Sequence, residues 1–315
     1  MKRRWLILII FGFLVCSVLG FFYKVYASEK PTVAVVLKNT KSEYWAIMVS
    51  GIEKGLENFG MKGEIFSSDH NNENQLSILE KVLKEKPNAL IFSPENPSAS
   101  IPILKEFQKE HIPVLLVDTG VNWSGQTSFI GTDNVSLGEK AGELLSSMMQ
   151  PDDKVALIGK ISRNTVYTDR IHGAETALRA VGINTVEGNI LVDDANAKVI
   201  PVIAILLRNN PDIKGVFAPS DEMALEVLKY LHQNGVNIPV VGADGIIDML
   251  KYIDNGTLKG TVAQNPYDMG YICVENALKA VKGQRVEKKI NSDVDIITGE
   301  NAKSKIDFLE GILKK

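Results

Sequence analysis

Cysteine is almost missing from this chain of 315 residues: Cys16 and Cys273 are the only two, too few for a disulfide framework. Histidine is as sparse. His70, His111, His172 and His232 stand far apart, without the close Cys/His spacing of a structural zinc site. No G-x-S-x-G elbow, P-loop, G-x-G-x-x-G fingerprint or H-E-x-x-H helix occurs, so the sequence gives no sign of an enzyme and no cofactor is expected. Neither sign of charge dominates. Lys and Arg number 35 against 38 Asp and Glu, and the basic residues are dispersed, which leaves no electrostatic footprint for nucleic acid. With 45% hydrophobic and 23% charged residues, long disorder is excluded, and the length suggests two domains, each able to bury a core.

One long uncharged run is present. Lys2-Arg3-Arg4 precedes Trp5–Phe22, which as a helix would span about 27 Å, close to a bilayer core of about 30 Å. It is apolar on every face, unlike a core helix. The basic cluster predicts a cytoplasmic N-terminus, with everything after Phe22 outside. Val25-Tyr26-Ala27 has the small-residue spacing of a signal-peptidase site, so secretion after cleavage at Ala27 is the alternative. The run is long for a signal peptide and Lys24 intrudes before the site. An uncleaved anchor over residues 1–30 is therefore the reading adopted. Cys16 follows Phe13-Leu14-Val15 and lacks the preceding small residue that lipid attachment wants.

From residue 31 onward, short apolar runs alternate with amphipathic segments. Strands are predicted at Thr32–Leu37, Gly63–Ser67, Ala89–Ser93, Pro113–Asp118, Lys154–Ile158, Asn189–Val192, Gly215–Ala218, Pro239–Gly242 and Gly260–Ala263. Helices are predicted over Tyr44–Phe59, closed by Gly60, and over Asn74–Lys86, stopped at Pro87. This alternation predicts an α/β protein with βαβ units and parallel sheets covered on both faces. The strands are too many for one compact domain of this class, so two doubly wound lobes are expected. Ligands in such sheets bind outside the carboxyl ends of the strands.

The residues just after the strands are chemically selective. Lys38, Ser42, Tyr44 and Trp45 follow the first; Asp118 and Thr119 follow PVLLV; the Ser162–Thr168 loop, Asp169 and Arg170 follow KVALI. Ser220 and Asp221 follow GVFAP, Asp244 follows PVVGA, and Gln264 follows GTVA. Aromatic, carboxylate, hydroxyl and amide groups together suit a polyhydroxylated ligand: a ring packs on the apolar face of a sugar and carboxylates accept from its hydroxyls. Plainer readings stand beside these. Asp169 and Asp221 could be helix N-caps, Lys38 could be surface, and Tyr44 or Trp45 could face a core. Two adjacent aromatics cannot both do so, which puts at least one of them in the pocket.

At these residues the chain resembles the type I periplasmic sugar-binding proteins, in their ribose-binding branch, over residues 31–297. Val216-Phe217-Ala218-Pro219-Ser220-Asp221-Glu222-Met223-Ala224-Leu225 is the most specific segment. Gly131–Asn134, Val241–Gly245 and Val262–Gln264 support it in order and spacing. The resemblance implies two lobes that trap sugar by closing about a three-segment hinge. Crossings would fall near Gly131–Asn134, Gln264–Pro266 and Asn291–Asp295. The N-terminal lobe would hold residues 31–132 and 265–293, and the C-terminal lobe 133–264 and 294–315.

The family's pocket, carried over, falls on Ser42, Tyr44, Trp45, Asp118, Thr119, Thr168, Ser220, Asp244 and Gln264. Serines stand where the ribose binders have asparagines. Thr119 and, within a residue or two, Thr168 stand where they have ligand-gripping arginines, and their second-lobe aromatic is replaced near Asp194. These departures point away from ribose itself. Lys38, Asp118, Pro219 and Asp193-Asp194-Ala195-Asn196 also resemble the autoinducer-2-binding relatives, an alternative furanose ligand. Asp118 and Asp244 would meet an anion with uncompensated negative charge, Lys38 and Arg170 being the only plausible local cations, and the resemblance implies a packing role for Arg170. A neutral pentose, hexose or polyol is therefore expected. A DNA-binding regulator of this fold would carry a helix-turn-helix where the apolar run lies. The partner is expected to be an ABC permease, for transport, or a membrane histidine kinase, for sensing.

Overall fold

The computed structural model describes residues 30–161, 165–191 and 199–314. The predicted anchor, residues 162–164 of the loop after KVALI, and Asp194 with its neighbours lie outside these residues. Among the described residues no helix is long and apolar enough to cross a membrane.

In chain order the strands are Thr32–Leu37 (β1), Lys62–Ser67 (β2), Ala89–Phe92 (β3), Val114–Val117 (β4), Ser128–Gly131 (β5), Lys154–Ile161 (β6), Asn184–Leu191 (β7), Ile213–Phe217 (β8), Val240–Val241 (β9), Ala243–Asp244 (β10), Gly260–Gln264 (β11), Lys289–Asn291 (β12) and Val294–Thr298 (β13). The helices are Glu43–Phe59 (α1), Asn72–Glu85 (α2), Pro97–Lys109 (α3), Asn134–Ser146 (α4), Val166–Ala180 (α5), Val199–Asn209 (α6), Asp221–Gln233 (α7), Ile247–Asp254 (α8), Pro266–Val281 (α9) and Ala302–Leu313 (α10).

Six strands form a parallel sheet in the order β12-β5-β4-β3-β1-β2, and four form another in the order β7-β6-β8-β9. Every residue of β3 and β4 is buried, as is all of β1 after Thr32. Helices on both faces dictate that near-continuous apolar run. A third sheet, β10-β11-β13, is mixed: β10 and β11 are parallel, whereas β13 runs antiparallel to β11. The expectation of parallel sheets alone is corrected there. The strand predicted at Asn189–Val192 is also corrected, to Asn184–Leu191. It is the edge of its sheet, and its polar residues (Asn184, Thr185, Glu187) break the apolar run that marks a central strand.

Sequence order reverses at β1, between β2 and β3, and at β6, between β7 and β8. The carboxyl ends beside such reversals form crevices. The chain leaves the six-stranded sheet for α4 after β5, leaves the mixed sheet for α9 after β11, and passes from the six-stranded to the mixed sheet between β12 and β13. Buried hydroxyl and amide groups tie these crossings together, Thr132 Oγ1 lying 2.7 Å from Gln264 Oε1 and 3.3 Å from Ser292 Oγ. Close helix contact fixes the second crevice. A Cβ on Gly138 of α4 would run into the backbone carbonyl of Arg170, and one on Gly173 of α5 into that of Val135. Only glycine lets α4 and α5 approach this closely, and Arg170 is carried on that seam.

Candidate ligand-binding site

The first wall of the crevice is built on β1, β4 and the first turn of α1. Asp118 immediately follows β4 and Lys38 immediately follows β1. The Asp118 carboxylate accepts from the Tyr44 hydroxyl at 2.9 Å through Oδ1, and from the Thr119 hydroxyl at 2.8 Å through Oδ2. Lys38 Nζ lies 3.4 Å from Asp118 Oδ2 and 2.6 Å from Thr119 Oγ1. Burial, followed by the Asp118 charge, pushes the Tyr44 phenol well above its ordinary range, so it remains a hydrogen-bond donor. The adjacent aromatics divide as a helix requires. Tyr44 reaches Asp118, whereas Trp45 is buried with Met48, Ile52 and Met269 under the six-stranded sheet. The Trp45 ring meets Tyr44 edge-on and carries Lys38 Nζ 5.6 Å from its centroid. Ser42 is the N-cap residue of α1, and its side chain makes no capping bond.

The second wall gathers around Asp244. Asp244 Oδ1 accepts from Arg170 Nη1 at 2.9 Å and from Gln264 Nε2 at 2.7 Å. Arg170 is 2% exposed and also donates to the Pro219 carbonyl at 2.7 Å and to Asn134 Oδ1 at 2.9 Å. It thus serves packing and the crevice at once. Burial works against its charge, yet Asp244 and the neighbouring phenols outweigh that and raise its pKa. Burial also raises Asp244, against the pull of Arg170 and Gln264. Gln264 is oriented at both ends, since its carbonyl takes the Thr132 hydroxyl.

Asp118 and Asp244 share an unusual backbone, with φ of 63° and 116°. Such values are uncommon for residues with a Cβ and concentrate at functional sites. A buried carboxylate braces the second of these turns. Asp221 Oδ2 accepts from the Gly245 and Ile246 amides at 2.6 and 3.0 Å, and Oδ1 from the Thr261 hydroxyl at 2.7 Å. Burial, then the Asp244 charge, raises Asp221 to about 7 despite these donors. It is therefore no N-cap; that role falls to Ser220, whose hydroxyl accepts from the Met223 amide at 3.3 Å.

Thr168 and Asp169 stand apart from this arrangement. Thr168 is exposed and bonds back to the Thr165 carbonyl, while Asp169 accepts the Thr165 hydroxyl at 2.8 Å. Thr165, not Asp169, is the N-cap residue of α5. Two residues absent from the sequence reading belong near the crevice. Tyr167 lies three positions before Arg170 on the same helix face, and burial, with Asp244 nearby, pushes its phenol up to about 12. An aromatic opening the helix after β6 was the available signal. Glu43 accepts from the Ile247 amide at 2.6 Å, joining α1 to α8. A gap lined by Tyr44, Ile47, Asp244, Ile246, Gln264 and Lys305 lies between the walls, and Lys305 Nζ is paired with Asp295 Oδ2 at 2.9 Å. Among the described residues no cluster of acidic, histidine or cysteine side chains could hold a metal ion.

Each carboxylate is therefore matched by a cation from its own wall, Lys38 with Asp118 and Arg170 with Asp244. This corrects the expectation of uncompensated negative charge. The arrangement can exchange hydrogen bonds with a polar ligand, and among the described residues it holds no nucleophile–base pair of the kind that acyl transfer needs.

Comparison with known proteins finds relatives over most of the chain. Two curated relatives are ribose import binding proteins. That of Escherichia coli strain K12 is 28% identical over 272 residues, covering 86% of this chain and 92% of its own. That of Haemophilus influenzae is 26% identical over 272 residues, covering 86% and 93%. A solved carbohydrate transporter solute-binding protein from Agrobacterium radiobacter, in complex with D-arabinose, superposes with a TM-score of 0.78 at 26% identity. It covers 90% of this chain and 99% of that one. These relatives are named as binding proteins rather than enzymes. The model of the periplasmic binding protein domain matches residues 33–285, and the chain belongs to that family.

Proposed function

We propose that this protein binds a neutral monosaccharide or polyol outside the cytoplasmic membrane and delivers it to an ABC importer. The observation that carries the ligand class is the charge-matched crevice. Asp118 and Asp244 offer acceptors to hydroxyl groups, while Lys38, Arg170 and Gln264 hold and complement them. The relatives that import ribose, and the solved structure with D-arabinose, support a pentose or hexose of this kind. The site comprises Lys38, Tyr44, Asp118, Thr119, Arg170, Asp244 and Gln264, with Tyr167 beside Arg170.

Binding works by closure of two lobes, residues 31–132 with 265–293 and residues 133–264 with 294–315. The sheet memberships of β12 and β13 support the division, since the chain changes sheets between them. Trp5–Phe22 anchors the protein to the membrane. Titration calorimetry against neutral sugars, polyols, sugar phosphates and sugar acids tests the reading. Heat of binding is expected with a neutral sugar or polyol; preference for a phosphate or an acid would refute it.

A further inference from the structure

Helix α8 begins without a cap of its own. Its N-cap residue, Ile246, has no side chain able to accept a hydrogen bond, and the first amides of a helix need an acceptor. The acceptor comes from 204 residues away. Glu43, the first residue of α1, places Oε1 2.6 Å from the Ile247 amide. Ile47 lies one turn further along α1 on the same face. It is 2% exposed and packs in the apolar cluster of Ile247, Ile306 and Leu309. The neighbouring face of α1 does the opposite: Trp45, Met48 and Ile52 pack into the cluster under the six-stranded sheet. One short helix turn thus belongs to two cores. Its Glu43–Ile47 edge is seated on elements of the other half of the molecule.

We infer that Glu43 is a ligand-independent latch: it caps α8 across the crevice only when the halves are closed, and so strengthens every ligand equally without selecting among them. The inference rests on the closure reading proposed above. A residue that acts through closure multiplies apparent affinity by the change in the closed population, whatever the ligand. A residue that touches ligand changes affinity unevenly across a ligand series. Glu43 turns its carboxylate to a backbone amide, with Asp248, Lys251 and Glu222 as its charged neighbours. Its immediate neighbour Tyr44 turns to Asp118 instead.

The test uses the full chain in detergent, as wild type, Glu43→Ala and Glu43→Gln, with D-ribose, D-allose and D-arabinose as probes. Glu43→Ala is expected to weaken each sugar that binds wild type by one common factor of about fivefold, the scale of losing a helix cap. The change should lie mostly in the off-rate. Glu43→Gln, which keeps an acceptor oxygen, should recover most of the affinity. Unchanged affinities, or factors that differ between sugars, would overturn the latch. Hydrogen exchange of the Ile247 amide supplies an arm that needs no ligand: in the open, free protein it should be the same in wild type and Glu43→Ala, and bound sugar should slow it only in wild type. Slower exchange at Ile247 in free wild type than in free Glu43→Ala would show a cap present without closure and overturns the latch even if no probe sugar binds. Failure of all three sugars to bind wild type counts against the sugar reading and leaves the exchange result to decide the latch.

Discussion

Replacing Arg170 with methionine removes the guanidinium while keeping most of its volume, and the structure sets the size of the effect. The side chain is 2% exposed and makes three bonds, to Asn134 Oδ1, the Pro219 carbonyl and Asp244 Oδ1. Losing it strands a carboxylate and a buried carbonyl. Breaking one side of a fully buried ion pair costs about 3–5 kcal/mol. The Asp244 side chain is 18% exposed, so water recovers part of that penalty. The expected loss is roughly 2–4 kcal/mol. Urea unfolding checks it, as a fall in midpoint at unchanged slope. Adding Asp244→Asn removes the stranded charge, so the double variant should be more stable than the sum of the single losses by roughly 1–3 kcal/mol. A loss under about 1 kcal/mol for Arg170→Met, or strict additivity in the double variant, would refute the pairing.

Trp45→Ala should cost about 3–5 kcal/mol of stability, because the ring belongs to the core beneath β1; a variant with wild-type unfolding would contradict this. Asp221 gives a pH signature. Its folded pKa of about 7 exceeds its unfolded value, so its contribution to stability is complete below about pH 4 and is lost as pH rises through 7. The full swing is on the order of 4 kcal/mol. Urea midpoints for wild type and Asp221→Asn across pH 4 to 8 should show the wild-type advantage declining over that window, and a flat difference would refute it.

Central strands were legible because burial on both faces writes them as unbroken apolar runs; β1 falls on the predicted residues to the letter. The crevice was half legible for a related reason. Lys38 and Asp118 sit immediately past strand ends, and Asp244 and Gln264 are the last residues of theirs, positions recognisable from a one-dimensional pattern. What stayed hidden depends on directions and distant partners. Tyr44 and Trp45 are neighbours in sequence but point about 100° apart on a helix, and no residue type says which one meets Asp118. The left-handed backbone at Asp118 and Asp244 leaves no mark where a glycine would have advertised it. Glu43 could not be found because its partner is a backbone amide, and every residue carries one. Edge strands such as β7 were misplaced because their exposed polar side chains imitate a loop.

Charge accounting turns the last of these gaps into a test. The sequence suggested that anions are rejected by excess negative charge, whereas the structure gives two carboxylates and two cations in pairs. Among the described residues, rejection of an anion must then come from the absence of a surplus cation, since a paired Lys38, Arg170 or Lys305 has little attraction left over. Asp118→Asn separates the two accounts. It leaves an amide that can still take the Tyr44 hydroxyl at Oδ1, but it removes the counter-charge of Lys38, whose side chain is 12% exposed. Affinity for a neutral sugar should fall by about 1.5–3 kcal/mol through the weakened acceptor. Affinity for the corresponding sugar acid, measured in the same calorimeter at the same ionic strength, should fall less or rise. The acid-to-neutral ratio should shift by at least about tenfold, equivalent to about 1.4 kcal/mol. An unchanged ratio would mean that Lys38 does not face the ligand, and that the pairing with Asp118 serves the fold alone.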